Sequence, residues 1–434
     1  MRHARPLIRA LLLLLALPAA AIAAEMPAVV HKPSVDVHSG PDFATPKVAT
    51  LSRNAKVAIA AQQGLWYQLK LDAGKVGYVR VNDVRMAYAG TENPDANMRA
   101  LFTGNAGKGR VSETASVRGI DESDLRAAGY NGADMAKLAD YRVDAATAAA
   151  HAAREGWRAT QVPYAVEARP VAKGGSKTTQ AQKRGGLSAA RGLLAGLGIG
   201  TGTAGDSALR VADSAASKSE DELAAEELAL GPEIAGRVLG AAPLWQDDAA
   251  QRRVNLIGRW VASQTARPDL PWTFGVLDDG EVNAFAAPGG YVLITRGLYE
   301  LLTDDAEVAA VIAHELGHVV QRDHYEVIRK QQVTGTTKDI ALSQVQIGGG
   351  IAGSYAKDYV GKHGATIMLT GLDREAEYRA DEAAGVYLAR AGFDPLALYS
   401  VLQKMTALGT RSSRMAQLYK THPPLDQRLA RMDR

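Results

Sequence analysis

His314, Glu315 and His318 stand in the order His-Glu-x-x-His inside an apolar run. On a helix, residues four apart lie on one face, so both imidazoles can address a single metal ion. Glu315 follows the first histidine about 100° further round, close enough to serve as general base toward a water at an open coordination position. Two neutral nitrogen donors, a carboxylate base and a vacant position are the parts of a hydrolytic zinc site.

Such a site needs a well-started helix and a frame behind it. Asp304, with Glu307 three residues on, has the spacing of a capping box, and Val308, Val311, Ile312, Val319 and Val320 supply packing faces. Upstream, 221–239 and 248–266 carry amphipathic helical periodicity. Strands are expected over 271–277 and 291–295, linked through the Asp278-Asp-Gly280 turn and Asn283-Ala-Phe-Ala-Ala-Pro-Gly-Gly290, with a short helix over 297–302. The 291–295 strand is expected to be a sheet edge that pairs with an extended substrate, Asn283 and Ala284 helping to position it.

Hydrolytic zinc usually takes three protein ligands. His324, six residues beyond His318, has the spacing of a third histidine, but Gln321 stands where that arrangement carries glycine. The alternative is a carboxylate from Asp373-Arg-Glu375-Ala-Glu377-Tyr-Arg-Ala-Asp381, a helix that Asp373 can cap. Asp381, one turn past Glu377, can accept from the N–H of a ligand histidine or pair with an arginine.

Four pieces in this order resemble the M48 family of zinc metallopeptidases: Asn283 to Gly290, His314 to His318, Glu377-x-x-Ala380-Asp381, and Thr421-His-Pro-Pro424. The resemblance covers 220–434. It implies an α+β fold: a mainly helical gluzincin-type domain with a small antiparallel sheet. It further implies one zinc per chain on His314, His318 and Glu377, and peptide-bond hydrolysis with Glu315 as base. It brings His422 and Arg428 to the cleft, His422 either donating to the developing oxyanion or sitting on the metal as a plug. Polypeptides, above all misfolded envelope proteins, are the implied substrates. Rival expectations are a latent protease acting as a chaperone, favoured by a blocking His422, and a cell-wall amide hydrolase.

The N-terminal half sets the surroundings. A basic start, an uncharged run over 10–24 centred on leucines and a small-residue end read as a signal peptide over 1–24, hence a periplasmic or secreted product. The chain contains no cysteine, which excludes disulfides and lipid attachment through cysteine. The formal charge is +3, and Arg2, Arg5 and Arg9 lie in the leader, so the remainder gives no electrostatic case for nucleic acid. Short alternating strands over 29–87, with Ser39-Gly-Pro41, Trp66-Tyr67 and Gly77-Tyr-Val79, resemble a bacterial SH3-like barrel. Its aromatics are expected either to fill a small core or to line a peptide or cell-wall groove. A linker over 89–108 opens a linker-and-helix segment, 88–170, in which 121–129 and 133–156 each read as one helix. A low-complexity linker over 171–219 follows. Its Gly200-Thr-Gly-Thr-Ala-Gly205 run matches a dinucleotide fingerprint, but no strand precedes it, so composition accounts for it better. The stretch 325–372 reads as a lid or as helical filler.

Overall fold

Alternating inward Val, Ile, Tyr and Leu residues build the first layer. In the computed structural model, which describes residues 25–71, 74–86, 120, 122–162, 220–328, 360, 372–409, 415, 418, 422 and 424–433, seven strands form one antiparallel sheet. They are β1 (Met26–Val30), β2 (Ser34–His38), β3 (Lys47–Ser52), β4 (Lys56–Gln63), β5 (Trp66–Lys70), β6 (Val76–Arg80) and β7 (Val84–Met86), in the order β3-β2-β6-β5-β4-β1-β7. Val37, Ile59, Tyr67, Leu69, Val79 and Val81 fill its interior. Trp66 and Tyr78 are buried too, while Phe43, at 68% exposure, packs edge-on against Trp66 with ring centroids 4.7 Å apart. The expected leader, the 89–108 and 171–219 linkers with the Gly200 run, and nearly all of the proposed lid lie outside the described residues.

Three short helices follow: α1 (Glu122–Ala127), α2 (Gly132–Asp140) and α3 (Ala145–Glu155). The single helix expected over 133–156 is thus two. Asp144 turns extended and accepts from the Thr147 N–H at 2.7 Å, starting a new helix where continuous alanine periodicity suggested none.

The larger layer holds α4 (Glu220–Ala241), α5 (Asp248–Ala262), β8 (Thr273–Leu277), β9 (Ala284–Ala287), β10 (Tyr291–Thr295), α6 (Arg296–Tyr299), α7 (Asp305–Gln321), α8 (Arg374–Ala391), α9 (Leu396–Leu408) and α10 (Leu425–Met432). Its sheet order is β8-β10-β9, which corrects two expectations. The sheet is mixed, not antiparallel: β9 and β10 form a hairpin, and β8 joins on the far side of β10, parallel to it. Consequently β10 is central, and β9 is the edge strand that packs on α7.

Helix α7 starts as its sequence signals. Asp304 accepts from the Glu307 N–H at 2.9 Å. The Glu307 carboxylate does not close the box on Asp304; it accepts from Thr303 N–H at 2.8 Å and from Lys404 Nζ at 2.6 Å. Both charges of this pair are fully buried. Burial alone would raise the Glu307 carboxyl, but Lys404 outweighs it and holds the group below its ordinary value.

The β-barrel sits on α9 and reaches the same pair. Gln62 Nε2 donates to Ser400 Oγ at 2.9 Å and to Glu307 Oε1 at 3.2 Å. The buried Gln403 side chain accepts from the Met86 N–H at 3.0 Å and donates to the Val81 and Val84 carbonyls at 2.9 and 2.6 Å. Arg80 pairs with Asp394 at 2.7 Å on the rim.

Lys404→Ala leaves Glu307 charged and unpaired in the interior and should lower the unfolding free energy by about 3–5 kcal/mol in urea titration. Replacing both partners, Lys404→Met with Glu307→Leu, should recover most of that loss. An unchanged midpoint in the single variant would contradict the pairing.

Candidate metal centre

Helices α7 and α8 meet where neither has bulk. A Cβ on Gly317 would stand 3.0 Å from the Ala380 Cα and 3.3 Å from its Cβ, so any larger residue there would push the two helices apart by a few tenths of an ångström. It brings three donors together. The Nε2 atoms of His314 and His318 are 3.2 Å apart, and Glu377 Oε2 and Oε1 lie 3.5 and 3.7 Å from them respectively. One donor atom from each residue falls within 4.8 Å of the others, a group that could hold a metal ion. Glu377 is fully buried, yet neither of its oxygens has a hydrogen-bond partner. A buried carboxylate left so costs several kcal/mol unless a cation compensates it, and two nitrogens and an oxygen suit zinc.

Each of these two histidines is gripped from behind. His314 Nδ1 is 3.0 Å from Asp381 Oδ1, and His318 Nδ1 is 2.9 Å from Asp323 Oδ2. Such bonds put the proton on Nδ1 and leave Nε2 for a metal. Arg428 Nη2 also lies 3.2 Å from His314 Nδ1, which would need that nitrogen bare; the anionic, shorter Asp381 contact decides the tautomer. Arg428 itself is buried and grips Asp381 at both oxygens, 2.9 Å from Nε and 2.6 Å from Nη2, with Nη1 3.7 Å from Glu377. The two readings of Asp381, histidine acceptor and arginine partner, therefore hold together.

Charges follow this arrangement. Burial and Arg428 oppose protonation of His314, but Asp381 and Glu377 outweigh them and raise it to about 9. Burial raises Glu315, with His314 and His318 pulling the other way. His422, whose Nδ1 is 3.3 Å from Glu377 Oε1, is pushed down to about 3, chiefly by burial. It forms a second donor group with His314 and Glu315.

The competing third ligands separate cleanly. Glu375 is exposed, and His324 belongs to neither donor group among the described residues. His324 nevertheless stands beside the site: its ring lies 5.9 Å from His318 and its Nδ1 is buried without a hydrogen bond. Asn283 precedes the β9 edge. Its N–H donates to Thr295 Oγ1 at 3.0 Å, while its side-chain Oδ1 is buried without a partner. Ala284 opens the same edge. Sequence reasoning missed Asp323. The signal was the end of helix periodicity at Arg322, which takes a left-handed conformation (φ 64°) and turns Asp323 back toward His318.

The profile of Peptidase family M48 matches residues 248–434, which contain every one of these groups. The chain carries a peptidase family M48 domain. The bacterial SH3 domain profile matches 33–84, within the seven-stranded sheet. Similar proteins include the Beta-barrel assembly-enhancing protease of Escherichia coli (strain K12), 29% identical over 232 residues, covering 52% of this chain and 47% of that protein. The Mitochondrial metalloendopeptidase OMA1 of Arabidopsis thaliana is 31% identical over 154 residues, 36% of this chain and 29% of the relative. Metalloprotease LoiP of Escherichia coli (strain K12) is 29% identical over 158 residues, 36% and 60% respectively. The chain spans about half the length of the assembly-enhancing proteases it matches.

Within the M48 domain, Arg428 and His314 depress the Asp381 carboxyl from its ordinary 3.8 to about 2 against the cost of burial. A depressed folded value stabilises above the ordinary one, here by about 2 kcal/mol, and that share disappears as pH falls through about 2. Arg428→Gln removes the main opposing charge, so acid unfolding followed by circular dichroism should begin at higher pH than in the wild type. Coincident acid transitions would refute the coupling.

Proposed function

We propose that the chain is an exported zinc endopeptidase that holds its metal on His314, His318 and Glu377. The observation that carries this is the Glu377 carboxylate, buried, without a hydrogen bond and facing two imidazoles whose far nitrogens are already engaged. A bound zinc would supply Lewis-acid charge for the scissile carbonyl and acidify water. Glu315 accepts the proton of the attacking water and returns it to the departing amine; burial raises its carboxyl above the ordinary value, which makes it a better proton acceptor. His422, kept neutral by burial, donates a hydrogen bond to the oxygen that gains charge. Arg428 acts behind this by holding Asp381 against His314. An extended substrate pairs with the β9 edge rather than with β10, and Asn283, with its free Oδ1, and Ala284 set its register.

The substrates we assign are misfolded or misassembled envelope polypeptides. Support comes from the leader-like 1–24 segment and from relatives whose name is Beta-barrel assembly-enhancing protease. Residues 29–87 are assigned to an SH3-like module, 88–170 and 171–219 to connecting segments, and 220–434 to the peptidase domain. On the module, exposed Phe43 on Trp66, with the Arg80 guanidinium 5.8 Å from the Phe43 ring centroid, is the face assigned to a peptide or cell-wall ligand. Phe43→Ala should abolish co-sedimentation with cell-wall sacculi or peptide pull-down; undiminished binding removes that face.

A second reading rests on the His422 contact: the same histidine can occupy the open position and keep the protease latent. One panel separates the readings. Glu315→Gln should keep its metal and lose at least ~100-fold in cleavage of casein or a quenched peptide. Glu377→Ala should lose the metal. His422→Ala should cut cleavage by about 100-fold if the ring is an oxyanion donor, and raise it if the ring is a plug. Undiminished cleavage by Glu315→Gln overturns the enzyme assignment.

A further inference from the structure

The metal-site reading above leaves one ligand's support unexplained by the motif. His314 is braced by Asp381 on α8, a residue one turn beyond Glu377. His318 is braced by Asp323, which lies just past the end of α7, where a backbone would ordinarily be loose. Three features remove that looseness. Arg322 caps α7 in the left-handed conformation, its N–H donating to the His318 and Val319 carbonyls. Its guanidinium pairs with the buried Glu227 of α4 at 3.2 Å. Two residues past Asp323, the Tyr325 hydroxyl donates to Glu226, also on α4, at 2.7 Å.

The α4 anchor is itself fixed. Arg267 pairs with Glu227 and also donates to the Val319 carbonyl at 3.1 Å, tying the last turn of α7 to the same carboxylate. Farther along α4, Gly231 lies against the β9–β10 turn, where a Cβ would stand 2.1 Å from the Pro288 carbonyl oxygen. On the opposite side, Arg379 of α8 reaches Asp323 Oδ1 at 3.1 Å, leaving Oδ2 for His318. Helix α4 lies before residue 248, ahead of the matched M48 span.

We infer that Asp323 is the positioning residue for His318, and that the adjacent carboxylates Glu226 and Glu227 on α4 hold the Arg322–Tyr325 turn so that Asp323 stays in place. The inference rests on the proposed metal site, and it makes α4 part of that site's support. A ligand imidazole with a fixed tautomer and orientation loses no freedom on binding metal, which is why removing such a carboxylate costs metal affinity even though it never touches the metal.

The test measures zinc affinity of the full chain by competition with a chromophoric chelator, beside nitrogen-15 spectra of the histidines in metal-free protein. Asp323→Ala should weaken zinc about 10–100-fold and erase the Nδ1–H signature of His318. Asp323→Asn, nearly isosteric, should lose less, because its amide oxygen still accepts from Nδ1. Glu227→Gln should weaken zinc while Asp323 is intact, and Arg379→Gln should not, since it spares the Oδ2 contact. Thermal melts screen out unfolding, and Asp323→Asn carries the test if the alanine variant does not fold. Zinc affinity and tautomer in Asp323→Ala and Asp323→Asn matching the wild type would overturn the role of Asp323; an effect of Arg379→Gln equal to that of Asp323→Asn would reduce it to general packing. If His318→Ala itself retains zinc, the metal-site reading has failed instead.

Discussion

One carboxylate, Glu377, sits fully buried with no hydrogen bond to satisfy it. Desolvation opposes its charge, yet His422, His314 and His318 hold it ionised, well below the ordinary carboxyl range. The M48 half of the molecule is arranged around that imbalance. Helices α7 and α8 approach through Gly317 and Ala380 so that the carboxylate faces two imidazole edges, and Arg428 comes in over the Asp381 side. A neutral, fully satisfied interior would have been easier to fold; the arrangement makes chemical sense as a socket for a cation.

Around it the structure repeats a single device, a buried charge held by an opposite one on another segment. Asp381 with Arg428, Glu227 with Arg267 and Arg322, and Glu307 with Lys404 each join separate segments. Such pairs add little net stability compared with apolar packing, but a missing partner is expensive. They therefore act as registration marks: a helix that shifted along its neighbour would strand a charge.

Much of this was readable from spacing. The His314–His318 helix, its Asp304 cap and the Asp373 cap of α8 follow from local rules that hold in any context, whereas Glu377 rather than Glu375 was implied only by the M48 resemblance. The division of 133–156 into two helices was less legible, since alanine-rich periodicity masks a break and only Asp144 marks it. Strand order could not be read, because β8 and β10 pair with β9 intervening in sequence, and nothing local says which strand becomes central. Asp323 and Glu227 escaped for other reasons: Asp323 returns to His318, five residues back, only through a left-handed turn at a residue that is not glycine, and Glu227 meets partners dozens of residues away. The barrel's aromatics were legible as core, whereas Phe43 carries no pattern that separates it from a loop residue.

Gln403 meets the barrel entirely through main-chain atoms, one N–H and two carbonyls between Val81 and Met86. Main-chain groups are the same whatever side chain is attached. This part of the attachment is thus blind to the barrel's side chains and sensitive to its length at that point, unlike the bonds that the Gln62 and Arg80 side chains make to Ser400, Glu307 and Asp394. Substitutions can reshape the barrel's outer face without loosening the mount, whereas inserting or deleting one residue between β6 and β7 would throw all three bonds out of phase.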